Sequence, residues 1–196
     1  MLELVVIVAV ALGLAEGIQA FLIKPYRIPS QSMEPTLNVG QRVLVNRLGN
    51  NFNNPHIGEI VVFHPPAGAD SGEGVCGDPH TGQGTLQPCD LPTPGESTQN
   101  FIKRVVAGPG DTIAIQDGHV VLNGKLQREP FIRPCVPGDG NCSFSKPIRV
   151  PAGDWFMMGD NRGESDDSRF WGPVPKKWII GGAFATYWPP DRIGFL

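Results

Sequence analysis

The sequence predicts a mainly β fold behind a single N-terminal helix. Three observations carry this. Short strand-like runs alternate with turn signals from residue 41 to residue 187. The 25 Gly and 20 Pro gather in the connections and form no repeat. The one long helical pattern is an apolar run at residues 4–23. A chain of 196 residues is long enough for one substantial core and a smaller lobe. Its formal net charge of −3, with no basic stripe, gives no reason to expect a nucleic-acid partner.

Residues 4–23 (LVVIVAVALGLAEGIQAFLI) are interrupted only by Glu16 and Gln19. As a helix they reach about 30 Å, the thickness of a bilayer's hydrocarbon. Lys24, Pro25 and Arg27 follow as an interfacial boundary. Residues 1–24 therefore read as a membrane anchor, with a buried soluble helix as the alternative. A cleaved secretory signal expects basic residues ahead of the apolar run, and none precedes Lys24. Glu16, if deep and charged, costs about 2–3 kcal/mol. It is expected to be protonated, near headgroups or against a partner helix. The basic residues all lie after the run, which taken alone puts the body of the chain in the cytoplasm.

The cysteines argue the other way. Cys76 and Cys89 enclose twelve residues, Cys135 and Cys142 six; neither pair is C-x-x-C and no histidine cluster joins them, so no metal site is expected. Of three possible pairings the two local ones are favoured, because each closes a Gly/Pro-containing loop with little core of its own. Such bonds persist outside the cytosol. The expectation is a single-pass cell-membrane protein, N-terminus in, with residues 25–196 on the extracytoplasmic side.

In the soluble part, residues 41–48 and 59–64 read as strands, as do 101–107, 112–115 and 120–122. Asp117-Gly118 is a hairpin signal and Asn123-Gly124 a further turn. Residues 148–150, 155–158 and 179–187 complete the series. Residues 65–100 and 130–147 are polar, Gly/Pro-rich excursions holding one cysteine pair each. The first is long for an irregular connection in a compact domain, and reads as an external loop stapled by a disulfide or as partly disordered.

Three segments hold groups fit for chemistry. In residues 27–37 (RIPSQSMEPTL) two prolines restrain a backbone carrying Ser30 and Ser32, which point to one side if extended. A serine nucleophile needs a base, and His56, His64, His80 and His119 show no aspartate–histidine arrangement. Lys103 is the better base. Strand alternation places it beside Phe101 and Val105, with Arg104 opposite, so its ammonium is desolvated and its pKa falls. Bringing that pKa to about 8 costs on the order of 3 kcal/mol. Residues 158–172 (MGDNRGESDDSRFWG) are dense in hydrogen-bonding groups, but Asp160, Glu164, Asp166 and Asp167 are not spaced as a calcium loop. Each segment also has an ordinary reading: a Ser/Pro loop, a snorkelling edge lysine, an acidic solvated loop.

Taken together and in order, these motifs resemble bacterial signal peptidase I, the membrane-anchored Ser-Lys leader peptidases. The resemblance runs from the anchor through 29–37, 40–43, 58–63, 102–104 and 108–111 to 159–175. It implies Ser32 as nucleophile and Lys103 as general base. Ser165 resembles the hydroxyl that orients the lysine, and Ser30 the hydroxyl that joins the Ser32 N–H in the oxyanion hole. Asp167 and Arg169 resemble a supporting ion pair, with Asp160 a further member. It implies an antiparallel β catalytic core (about 25–65, 100–122 and 151–190) with a smaller β/loop lobe (about 66–99 and 123–150). It also implies cleavage of secretory precursors after small residues at −1 and −3, with no cofactor. Ile28, Pro29, Gln31, Met33, Asn100 and Ile102 are the expected substrate-binding residues, and lipid the expected surroundings. A loop like Cys135–Cys142 is seen in some members. The competing readings are a cytosolic Ser-Lys self-cleaving repressor protease, which should lack the anchor, and a membrane-tethered β-rich binding protein with no activity.

Overall fold

The computed structural model describes residues 2–71, 75–136 and 138–196; at 2, 9, 14–16, 18–21, 50 and 51 the description is of the backbone alone. After helix α1 (Leu2–Phe21), β1 (Ile23–Arg27) pairs antiparallel with β2 (Arg42–Asn46). A one-turn helix α2 (Gly49–Phe52) leads to β3 (Ile60–Phe63), and the long excursion then separates β3 from β4 (Phe101–Ala107). Strands β5 (Thr112–Gln116), β6 (His119–Leu122), β7 (Lys125–Leu126) and β8 (Phe144–Arg149) follow, then β9 (Asp154–Met158). The chain ends with α3 (Ser168–Trp171), β10 (Val174–Pro175), β11 (Ile179–Trp188) and β12 (Gly194–Phe195).

The larger sheet runs β1-β2-β11-β3-β4-β9-β10, with β12 on β11, and the smaller runs β7-β6-β5-β8. Every strand pairing is antiparallel. The fold is thus mainly β, as expected. The sheets divide the chain differently from the sequence reading, however. Residues 112–122, grouped there with the catalytic core, lie instead in the smaller sheet, where 112–116 pair with both 119–122 and 144–149. Asp117-Gly118 and Asn123-Gly124 all have positive φ, the requirement of two-residue hairpin turns, the first expected as a hairpin and the second as a turn. Strands β7, β10 and β12, two residues each, are too short to leave an alternation.

Both faces of the larger sheet are covered at β3, β4 and β9, so β4 is buried along almost its whole length. Val61, Phe63, Val105, Met157, Trp171 and Trp178 fill one side. Val106, Ile113, Ile115, Phe144, Ile148 and Phe156 join the two sheets. Ile28, Met33, Leu37, Val43, Val62 and Ile102 pack the segment after β1 onto the sheet. The chain closes its cysteines locally, Cys76–Cys89 and Cys135–Cys142. The first excursion contains no strand among its described residues, yet Cys89 is fully buried and its N–H donates to the Arg169 carbonyl on α3. It packs as a staple on the core.

Among the described residues no helix is long and apolar enough to cross a membrane, so the expected span is not shown as one. The side chains of Glu16 and Gln19 lie outside the described residues.

Candidate active site

Ser32 sits in a single 3-10 turn, Gln31–Met33, entered from extended backbone at Ser30. Hydrogen bonds between Ile28 and Gln41, and between Gly40 and Ile28, clamp the strand leading into it. Asn161 then grips the turn: its N–H donates to the Ser32 carbonyl at 3.0 Å and its Nδ2 to the Gln31 carbonyl at 3.2 Å. Ser32 is 5% exposed, and its Oγ lies 3.2 Å from Ser30 Oγ.

Lys103 is 4% exposed, on the β4 face it shares with Phe101 and Val105 and opposite Val61 of β3. Desolvation by burial lowers its pKa from 10.5 to about 8, against the opposing pull of Asp167, Asp166 and Asp160 and with a smaller push from Arg169. Ser32 and Lys103 line one cleft of about 340 Å³, with Pro29, Ser30, Asn100, Ile102, Glu164 and Asp166 on its walls. The only described hydrogen-bond partner of Ser32 Oγ is Ser30. The Ser165 hydroxyl is buried with no hydrogen-bond partner. Ser32 and Lys103 thus share one cleft, while Ser165 lines the neighbouring pocket with Asp139, Arg162 and Asp166.

Gly159 lets Ser165 approach the Ser32 backbone. A Cβ there would overlap Ser165 Oγ and the Ser32 carbonyl, and would lie 2.6 Å from Ser165 Cβ. Gly159→Ala is therefore expected to cost about 1–3 kcal/mol of stability and most of the activity, read by thermal unfolding and a cleavage assay.

Three arginine–carboxylate pairs hold this region. Arg169 binds Asp167 in bidentate fashion at 2.8 and 3.0 Å, both buried, and donates to the carbonyls of Arg162 and Ser165. Burial alone raises the Asp167 pKa, but the Arg169 charge and hydrogen bond outweigh it and hold the carboxyl below its usual range. Asp160, expected in this pair's network, instead takes a bidentate bond from Arg104 at 2.8 and 2.6 Å and a third from Thr36. The third pair, Arg162–Glu129, is buried between the site loop and the smaller sheet, where Glu129 also accepts from the Val120 N–H. Glu129 and Arg162 carry no signal in the sequence, being 33 positions apart. Arg104 had one: strand alternation set it opposite Lys103.

Of the expected substrate-binding residues, Ile28, Pro29, Asn100 and Ile102 line a second cleft of about 200 Å³ beside the first. Met33 and Gln31 line neither. Met33 points wholly into the core because the 3-10 turn rotates it away from Ser32, and Gln31 is exposed with Nε2 on Glu164.

The family model described as "Signal peptidase, peptidase S26" matches residues 1–188. Signal peptidase I of Leptolyngbya laminosa is 36% identical over 189 residues, covering 96% of this chain and 80% of the relative. The probable signal peptidase I-1 of Synechocystis sp. is 37% identical over 194 residues, covering 99% and 86%. The probable signal peptidase I-2 of the same organism is 33% identical over 195 residues, covering 100% and 77%.

Proposed function

The chain belongs to the peptidase S26 family of signal peptidases, and from that premise we propose that it cleaves through Ser32 as nucleophile and Lys103 as general base. The enzyme class is signal peptidase I, and its activity is the removal of signal peptides from precursor proteins. That leaves no place for the non-enzymatic binding protein. The observation that supports the pair is their burial in one cleft, with a lysine desolvated enough to lose its proton near neutral pH.

In this reading neutral Lys103 takes the Ser32 proton as Ser32 Oγ attacks the scissile carbonyl. The ammonium then gives the proton to the leaving amine, and a water activated by the same amine hydrolyses the ester. The Ser32 N–H and the Ser30 hydroxyl stabilise the oxyanion, each such donor being worth roughly 3 kcal/mol. Ser165, whose buried hydroxyl has no hydrogen-bond partner among the described residues, is the group assigned to accept from the amine and orient it. Strand β9 pairs with β4 only from Arg104 onward, so Phe101 to Lys103 pair with β3 alone. A precursor laid along that open edge adds a strand, its small −1 and −3 side chains entering the two clefts.

The anchor belongs to the same proposal. Helix α1 has 20 residues, about 30 Å, and Leu4, Val5, Ile7, Val8, Val10 and Leu12 are all exposed. An exposed apolar helix feeding directly into β1 sets the cleft close to the membrane surface, where precursors present their cleavage sites. The catalytic body lies on the extracytoplasmic side, where both disulfides persist.

A synthetic precursor peptide tests the reading through the pH dependence of kcat/KM. Because Lys103 must be neutral, the rate is expected to rise about tenfold per pH unit below about 8 and then level off. A profile flat from pH 6 to 9, or an acid limb near the usual range of a histidine, contradicts it.

A further inference from the structure

Three carboxylates act on Lys103: Asp167, Asp166 and Asp160. Two of them are committed. Asp167 is held in bidentate fashion by Arg169, and Asp160 by Arg104. Asp166 differs from both. It lines the cleft together with Ser32 and Lys103, and its Oδ1 is buried with no hydrogen-bond partner.

Its charged surroundings are few. On its own segment stand Glu164, exposed and bonded to Gln31, and the Asp167–Arg169 pair. From β4 comes Lys103. On the far side of the segment a separate pocket adds Asp139 and Arg162, and Arg162 is already bound to Glu129. Lys103 is therefore the one cation acting on Asp166, among the described residues, that no carboxylate has claimed.

We propose that Asp166 is a positioning residue for the base: its carboxylate, in the same cleft as Lys103, stabilises the ammonium and so sets the pH at which Ser32 is activated. This rests on the Ser32–Lys103 reading and deepens it. Asp166 has no arginine bound to it inside the cleft, whereas the larger pull of Asp167 on the amine is opposed by its own Arg169, and Asp160 is tied to Arg104. Burial and Asp167 push the Asp166 carboxyl up to about 6, with Lys103 and Arg169 opposing, so it is ionised over the range in which Lys103 titrates. The consequence for catalysis is two-sided. Asp166 makes Lys103 a stronger base, which aids proton abstraction above pH 8, and makes it a scarcer one at neutral pH.

The experiment is kcat/KM against pH on a synthetic precursor peptide, with the full chain as wild type, Asp166→Asn, Asp166→Glu and Lys103→Ala. Asp166→Asn is isosteric, and the buried Oδ1 has no hydrogen bond to lose among the described residues. It is expected to move the acid limb down by roughly one pH unit. The neutral fraction of Lys103 at pH 7 then rises about fivefold, while the rate at the alkaline plateau falls. Asp166→Glu restores the wild-type limb. An Asp166→Asn limb that coincides with wild type or moves up overturns the proposal, as does an Asp166→Glu limb matching that of Asp166→Asn. If Asp166→Asn does not fold, judged by its thermal midpoint, Asp166→Ser is measured against the same criteria. Lys103→Ala separates the two failures: activity there with a wild-type limb removes the dyad itself, whereas inactivity with an unmoved Asp166→Asn limb removes only the role of Asp166.

Discussion

Lys103→Met is expected to lower turnover of a signal-peptide substrate by about ten-thousand-fold while leaving the fold intact. The two halves of that result come from one physical fact. Lys103 is buried beside apolar neighbours, so the structure carries a desolvated ammonium whenever the pH is below its folded pKa of about 8. The sign follows from proton binding. Between pH 8 and 10.5 the unfolded chain binds the proton and the folded chain does not, so stability rises with pH across that window. Below it the full cost, about 3 kcal/mol, is present. Methionine keeps the length of the stem and removes the charge. The variant should be at least as stable as wild type at pH 7, and denaturant unfolding should lack the rise above pH 8. A variant that is inactive because it is unfolded, or one that keeps its activity, would sink the assignment of Lys103.

Arg169→Ala should cost more stability than any other single truncation near the site, about 3–5 kcal/mol. It strands the Asp167 carboxylate in a fully buried position and releases the carbonyls of Arg162 and Ser165. Because Asp167 titrates below the usual carboxylate range in the fold, its contribution is present at neutral pH and is lost as pH falls through that lowered value. Adding Asp167→Asn to Arg169→Ala should recover part of the loss, since the orphaned charge is then gone. Equal stability for the single and double variants, by urea unfolding at pH 7, would contradict the ion-pair account.

Much of the sheet was legible because alternation is a local property. Strand β4 occupies the very residues foreseen, 101–107, and the faces of Lys103 and Arg104 follow from period two alone. The Asp-Gly and Asn-Gly turns were legible for the same reason. What alternation cannot say is which sheet a strand joins, and so residues 112–122 were grouped with the wrong partners. Nor can it resolve three-residue turns. Met33, as an apolar side chain, is an expected pocket-lining residue, yet the 3-10 turn sends it into the core. Of the charged pairs only Asp167–Arg169, two positions apart, is legible, and that through the resemblance. Arg104 and Asp160 are 56 positions apart, Arg162 and Glu129 33, and only folding brings them together. Asp166 was visible only as one of several loop carboxylates. Its distinction lies in having no arginine, which depends on where the other arginines go.

Catalysis through the dyad passes through an ester at Ser32, and trapping that ester is its most direct test. The enzyme is mixed with a slow-deacylating ester or precursor peptide, quenched in acid, digested and examined by mass spectrometry. The acyl mass is predicted on the peptide containing Ser32, absent from Ser32→Ala and formed more slowly below pH 8. An acyl group on another residue, or undiminished cleavage by Ser32→Ala, would contradict it.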